Sequence, residues 1–442
     1  MTLAKTKCLG LLLAVLVPRL LHADVVNVDC GAGGTGLQAA VNGLSSPTGP
    51  HTINVLGTCV ENVTVNGVSF LTLQGSGGAT LRSADPAFGV VLFANASPSM
   101  QVRGLNLDGA SHDFAIGLYA FESDVRYQGG TIENCGDTAV FADVDSEVVI
   151  GGPSAGQEVA IRNNAAGPLA NRAVLRIQGR TTVEDNDFDA LVSTDSTLTV
   201  SGPSAAAGNV FRNNGFGIAI IAGGTAGFSG LVTIEDNGPY GILASRVPQV
   251  SLAGRSVGGT PLFTTIQGHT QNGVLVSSST FLSSAPAGIF NLVRNNGSDP
   301  VTTDAGVLVI RPGALLARSL EVSNNIGPGV LLDAAAYGNF ATARISGNSG
   351  DGIRVLHNST AEFGAFAVTG ETIPADTAVS GNGGEAIACD DTAVVFGDLD
   401  ALPKVKCKVK DGRPRGGSAA AALAEIESRL GARMERRPRP RP

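Results

Sequence analysis

"ISGNSGDGIRV", residues 345–355, places an apolar residue at Ile345, Asn three places later at Asn348, then Gly352 and a second apolar residue at Ile353. The same frame returns in IRNNAAGPL (161–169), VEDNDFDAL (183–191), VFRNNGFGI (210–218), IEDNGPYGI (234–242), VSNNIGPGV (322–330) and VSGNGGEAI (379–387). Weaker copies are IENCGDTAV (132–140), IQGHTQNGV (266–274) and the start of LVRNNGSDP at Leu292. Its fourth position falls on Cys135, Asn164, Asn186, Asn213, Asn237, His269, Asn296, Asn325, Asn348 and Asn382, with Asn214 available beside Asn213. Successive gaps run from 22 to 34 residues, a floor with a variable excess. A solenoid with loops inserted on some coils has that spacing.

Between the frames lie short runs such as SEVVIGG, STLTVSG, GLVTIED, GVLVIRP and GIRVL, in which β-branched residues alternate and Gly or Asn punctuates. These read as strands, and helical periodicity is nearly missing. A sandwich or barrel does not repeat an Asn in register ten times, so the expectation is an all-β parallel β-helix with each coil stacked about 4.8 Å on the next. In that fold an Asn at a turn is expected to take the left-handed backbone, bond its own main chain and bond the next Asn in the stack. The following Gly is expected to relax the corner. The Ile or Val after it would enter a core too narrow for bulky aromatics.

The frame resembles the right-handed parallel β-helix repeat of the pectin-lyase-like superfamily, and the match covers most of residues 50–400. The layout from VNVDCGAGGTGLQAAVNGL through INVLGTCVENVTV to the cysteines near residue 400 is most similar to the uncharacterised secreted bacterial members. That resemblance implies an architecture far more than an activity, because the scaffold carries lyases, hydrolases, epimerases, adhesins and proteins with no assigned reaction.

Composition fits this reading. The chain has 442 residues, 59 Gly, four Tyr and no Trp, so its core must rest on small and branched side chains. Lys5 and Lys7 precede the apolar run Leu9–Val17, and Ala23 offers a small residue for cleavage, so residues 1–23 read as a signal peptide. No other run is long enough to span a bilayer. The body then carries about −16 charges and residues 412–442 about +5, which makes nucleic acid an unsuitable partner for the body.

A solenoid needs caps, since each end exposes core and unpaired backbone. The β-helix domain is expected over 24–410, with an N-terminal cap over 24–60 and a last-coil cap over 385–410. Thr35 is expected to N-cap a short helix whose Leu37, Val41 and Leu44 share one face. Five cysteines follow the signal, in two terminal pairs with Cys135 spare, so Cys30–Cys59 and Cys389–Cys407 are expected to be disulfides. In KVKCKVK (404–410) the lysines would point outward and discourage edge pairing. Residues 411–442 read as a linker, a candidate short helix with Leu423, Ile426, Leu430 and Met434 on one stripe, and an Arg/Pro-rich tail, with docking on the last coil, pairing with another chain and disorder as the alternatives for this segment.

Chemistry is sparse. Polygalacturonase-like members carry Asn-Thr-Asp, Asp-Asp, Gly-His-Gly and Arg-Ile-Lys in that order, as separated carboxylates must flank a sugar. This chain has Asp390-Asp391 and Gly268-His269-Thr270 in the reverse order, with no counterpart of the other two. Pectate-lyase-like members need a calcium-binding carboxylate cluster, an Arg base and a Trp motif, of which RPGALLAR (311–318) is a loose echo. The catalytic candidates are therefore His269, Asp390 and Asp391. Each has a plainer reading, His269 as a turn residue in place of Asn, the aspartates as a cap turn, and Cys135 as a buried inert thiol; the plainer reading is preferred for all.

No metal or cofactor motif is present. Tyr119, Tyr127, Tyr240 and Tyr337 are scattered, and the stretch 84–128, with Phe88, Phe93, Phe114 and Phe121, is the candidate surface by composition, although a core role for those Phe residues is preferred. The sequence thus predicts a secreted, periplasmic or cell-surface scaffold that binds extracellular glycans or cell-surface components without catalysis. The alternative is a carbohydrate-active lyase or hydrolase on the same fold.

Overall fold

A computed structural model describes residues 23–407, apart from 35, 87–88, 299–303, 365, 369–370, 374–375, 398, 400–401 and 403–404. The chain is an all-β parallel solenoid, consistent with a right-handed β-helix. The expected signal peptide and the segment 411–442 lie outside the described residues.

Each coil has three strands, as in Thr138–Asp143, Glu147–Ile150 and Val159–Arg162, which we place on faces A, B and C. Face A is a 14-stranded parallel sheet. Faces B and C join as one sheet because long strands such as Ser69–Arg82 and Tyr337–Ser346 run through the corner between them. Two antiparallel hairpins, Arg255–Val257 with Thr260–Leu262 and Phe366–Val368 with Glu371–Ile373, are inserted at that corner. They account for the two widest gaps in the repeat.

Register stacks like on like. The apolar residue closing each frame forms one column on face A, in which Ile218, Ile242, Val274, Val307, Val330 and Ile353 are in register. All are buried, and each stabilises the fold by roughly 1.5–3 kcal/mol. The core is less narrow than the missing Trp suggested, for Tyr127, Phe211, Phe228, Phe281 and Phe340 are fully buried. The three Phe on face B sit beside small inward residues of the same strand, Ala226 with Phe228, Ser283 with Phe281 and Gly338 with Phe340, whereas Tyr127 sits beside Val125. Pairing large with small keeps the cross-section filled without overpacking.

At the N-terminal end, α1 (Leu37–Asn42) turns Leu37 and Val41 onto the first coil, and Leu44 packs partly buried beside them. Its N-cap position is Gly36, without a side-chain cap; Thr35 lies outside the described residues. The helix start is held instead by Glu61, whose carboxylate accepts from the backbone N–H groups of Gly36, Leu37 and Gln38 at 2.8, 2.7 and 3.1 Å. Cys30–Cys59 and Cys389–Cys407 are disulfide bonded and clamp the two ends. In the last strand Lys406 is exposed, while Lys404, Lys408 and Lys410 lie outside the described residues.

Candidate functional site

The two corners flanking face A hold the residues that the repeat singled out. At the C–A corner the left-handed conformation belongs to the residue before the ladder Asn, as in Asn163, Asp185, Asn213, Asp236, Asn295 and Asn324, all with φ between 51° and 56°. This corrects the expectation that the ladder Asn itself takes that conformation, and it moves the ladder from Asn213 to Asn214. Asn213 is exposed at the turn, whereas Asn214 is buried and takes the ladder bonds.

Where Asn follows Asn, the ladder Oδ1 accepts two bonds from the preceding coil, one from the backbone N–H and one from Nδ2. Asn325 does so for Asn296 at 3.0 and 2.9 Å, and Asn348 for Asn325 at the same distances. The chain of bonds runs through Asn164, Asn186, Asn214 and Asn237, then resumes through Asn296, Asn325, Asn348 and Asn382. The frame's glycine is there for space. A Cβ on Gly352 would stand 2.8 Å from Asn382 Nδ2 and 2.4 Å from Val379 Cγ1; one on Gly306 would meet Asn325 Nδ2 at 2.6 Å.

His269 breaks the ladder. It is 1% exposed, its backbone N–H donates to Asn296 Oδ1 at 3.2 Å, and its ring nitrogens face the carbonyl oxygens of Asn237 and Ile234, each at 3.2 Å. Burial lowers its pKa below the ordinary 6.5, against the raising effect of the Asn237 and Ile234 carbonyls. Gly268 supplies the positive φ at this turn, so His269 is not a left-handed turn residue. Cys135 takes the equivalent place in its coil, its N–H donating to Asn164 Oδ1 at 3.0 Å, and burial pushes its thiol up to about 12. Such a thiol is inert near neutral pH.

The A–B corner follows the same grammar with Ser, which the sequence reading missed. Ser123 Oγ accepts from Ser97 N–H at 2.9 Å and donates to Phe121 O at 2.8 Å, and Ser146 Oγ accepts from Ser123 N–H at 3.2 Å. The signal was a Ser one or two residues after an exposed left-handed residue, as in Glu122-Ser123 and Asp145-Ser146. Ala173, Val247 and Ala336 interrupt this column, which made it harder to find.

Near the C-terminal end this corner gathers titratable groups. His357 is 69% exposed, its Nδ1 lies 2.5 Å from Asp333 Oδ1, and its backbone N–H donates to Asp390 Oδ2 at 2.6 Å. The hydrogen bond and charge of Asp333 raise the His357 pKa. Asp390 Oδ1 accepts from the Thr392 hydroxyl at 2.7 Å and from the backbone N–H groups of Thr392 and Ala393, both at 2.9 Å; the His357 N–H first, then the Thr392 hydroxyl and these amides, hold its carboxyl at about 2. The structure therefore separates His269 from the aspartates and sets His357 beside Asp390 instead.

The outer faces carry further columns. Phe93, Tyr119 and Phe141 stack on face A with centroids 5.0 Å apart, so their ring faces are spent on one another. Tyr127 is in the core and Phe114 is 64% exposed, while Phe88 lies outside the described residues. A core role for Phe93, Phe114 and Phe121 is thus overturned. On face C the register aligns Arg82, Asp108, Glu133, Arg162, Glu184 and Arg212, with ion pairs Arg82–Asp108, Arg162–Glu133 and Arg212–Glu184 at 2.7–2.9 Å.

Face B holds a shallow cleft of about 340 Å³ lined by Ser99, Gln101, Asp124, Arg126 and Glu147. Glu147 pairs with Arg176 at 2.7 Å, whereas Arg126 forms no ion pair with a described residue. Among the described residues, Cys30, Cys59 and Glu61 make the only trio of metal-ligating type with atoms within 4.8 Å. Both sulfurs there are in a disulfide, and Glu61 caps α1, so that trio does not fit a metal. No helix among the described residues is long and apolar enough to cross a membrane.

No family model and no curated protein matches the sequence. Among solved structures, the chain is similar to the A-module of the mannuronan C-5 epimerase AlgE4 of Azotobacter vinelandii, at 14% identity and a TM-score of 0.46, over 85% of this chain and 100% of that one. The AlgE6 A-module of the same organism follows at 15% identity and 0.40, covering 83% and 99%. PfbA, a surface adhesin of Streptococcus pneumoniae, is similar at 11% identity and 0.27, covering 82% and 91%.

Proposed function

We propose that this chain is a secreted or cell-surface β-helix that binds extracellular glycans on its outer faces and catalyses no reaction on them. The observation supporting this is the commitment of His269 and Asp390, two of the three catalytic candidates, to bonds that hold neighbouring coils together; Asp391 is exposed, next to Asp390 in sequence. His269 is enclosed by carbonyls, and Asp390 accepts from three main-chain N–H groups and the Thr392 hydroxyl. An acid or base must reach a substrate proton; His269 has no path to one, and Asp390, its carboxyl held at about 2, is a weak base.

The face B cleft suits a polar ligand. Arg126 and Gln101 donate, Asp124 and Glu147 accept, and sugar hydroxyls can do both. Because the body is strongly acidic, neutral glycans are favoured over polyuronates by long-range electrostatics. Glycan-array binding by the purified chain, weakened about tenfold in Arg126→Ala, is the expected result. No unsaturated product or reducing end should be released from pectate, alginate or neutral glycans, with or without calcium.

One observation favours the enzyme alternative, namely the exposed His357–Asp333 pair beside Asp390. Product release by the wild-type chain, abolished in His357→Ala or Asp390→Asn with the melting curve unchanged, would establish a carbohydrate-active enzyme.

A further inference from the structure

The outward side of face A carries an apolar column that the core does not use. In register along it stand Leu169, Val192, Ala219, Leu243, Leu275, Leu308 and Leu331, before it ends in Arg354, Ala388 and Lys406. Ala305, Leu308 and Leu331 form a buried cluster of their own outside the main core, Leu308 8% and Leu331 4% exposed, with Leu275, Ile310 and Leu356 packed partly buried against it. Outward positions of a solvated sheet are normally polar, so an aligned leucine stripe marks a surface that something covers.

We propose that the occupant is the chain's own segment 418–434, lying as a helix along this column with Leu423, Ile426, Leu430 and Met434 against Leu331, Leu308, Leu275 and Leu243. Three features support that choice. The last strand, Val405–Lys406, is itself the final rung of face A, so the chain leaves the solenoid in line with the column and three coils beyond Leu331. Three coils are about 14 Å, and the residues between Cys407 and Ser418 reach about 35 Å when extended.

The lengths also agree. From Leu423 to Met434 a helix rises about 16 Å, and four leucines on successive coils span about 14 Å. Charge agrees too. Past Leu243 the segment's Arg436, Arg437, Arg439 and Arg441 would lie over coils whose flanks carry Asp187, Asp189 and Asp195. A helix of that length is marginal in isolation, and an apolar track supplies what it lacks.

Hydrogen exchange on the full-length chain tests this. Amides of 423–434 should exchange at least about tenfold more slowly than an unstructured segment. Leu430→Glu should abolish that protection, and so should Leu275→Glu, while strands of face A stay protected. Absence of protection in the wild type, protection that survives Leu275→Glu, or protection that appears only as the chain dimerises would overturn the proposal. Should Leu275→Glu unfold the solenoid, a photo-cross-linking residue at position 430 decides. Linkage to 272–277 or 305–310 within one chain supports the docking, and linkage elsewhere or to a second chain overturns it.

Discussion

The C–A and A–B corners solve one problem with different side chains. Both put a left-handed residue first, and both then use a side-chain oxygen to take the N–H of the coil before. Asn has a second polar atom and Ser does not. An Asn therefore hands a donor to the next rung and the rungs become a continuous buried chain, whereas Ser123 and Ser146 close on their own chain two and three residues back. The C–A corner is regular, and its ladder side chains from Asn164 to Asn348 are buried. The A–B corner tolerates Ala, Val and exposed charges, and His357, Asp333 and Asp390 collect there.

Breaking the Asn corner should cost most. Asn325→Ala leaves the backbone N–H and Nδ2 of Asn296 without their acceptor, and removes the Nδ2 donor to Val293 O, in a buried site. The expected loss is about 3–4 kcal/mol by denaturant unfolding, since each orphaned group costs roughly 1–3. A loss below about 1 kcal/mol would erase the distinction between the corners.

Gly306→Ala attacks the same corner through space. Its Cβ would stand 2.6 Å from Asn325 Nδ2 and 2.7 Å from the carbonyl oxygen of Gly329, which cannot move aside. A drop of about 2–3 kcal/mol is expected from overpacking. An unchanged midpoint would mean the glycine serves another purpose. Ser123→Ala, by contrast, removes only the acceptor of Ser97 N–H and one local bond, for about 1 kcal/mol.

The smallest effects are electrostatic, and they run in opposite directions at the two corners. His357 is raised by Asp333, so its contribution is present below about pH 6.5 and fades as pH rises through its elevated pKa. His269 is lowered by burial, so its contribution is present above about 6.5 and is lost as pH falls through its depressed pKa. NMR titration should place the two on either side of 6.5, with His357 returning toward 6.5 in Asp333→Asn. Both titrating on one side would contradict the corner assignment.

How much could be read from the sequence follows the same divide. The coil repeat and the ladder from Asn164 to Asn382 were legible because a buried, continuous chain of bonds tolerates few exceptions, and each exception stands out. Asn213 was misassigned because two asparagines stand side by side, and only the rule that the left-handed residue comes first separates them. The Ser column was missed because its rungs are independent and often replaced. His357 was overlooked because its partners come from coils on either side, Asp333 at 24 and Asp390 at 33 residues' separation. The aromatic residues of 84–128 misled for another reason. Stacking between coils is a structural use of Phe and Tyr that composition cannot tell from a ligand platform or a core.

The claim that one corner is a cooperative chain and the other a set of separate bonds is tested most directly by paired double-mutant cycles. The cycle of Asn296→Ala with Asn325→Ala should give a coupling above about 1 kcal/mol, because Asn296 Nδ2 bonds Asn325 Oδ1 at 2.9 Å. The cycle of Ser123→Ala with Ser146→Ala should be additive within about 0.5 kcal/mol, since no side-chain bond joins them. Additive asparagines, or serines coupled as strongly as the asparagines, would contradict the account.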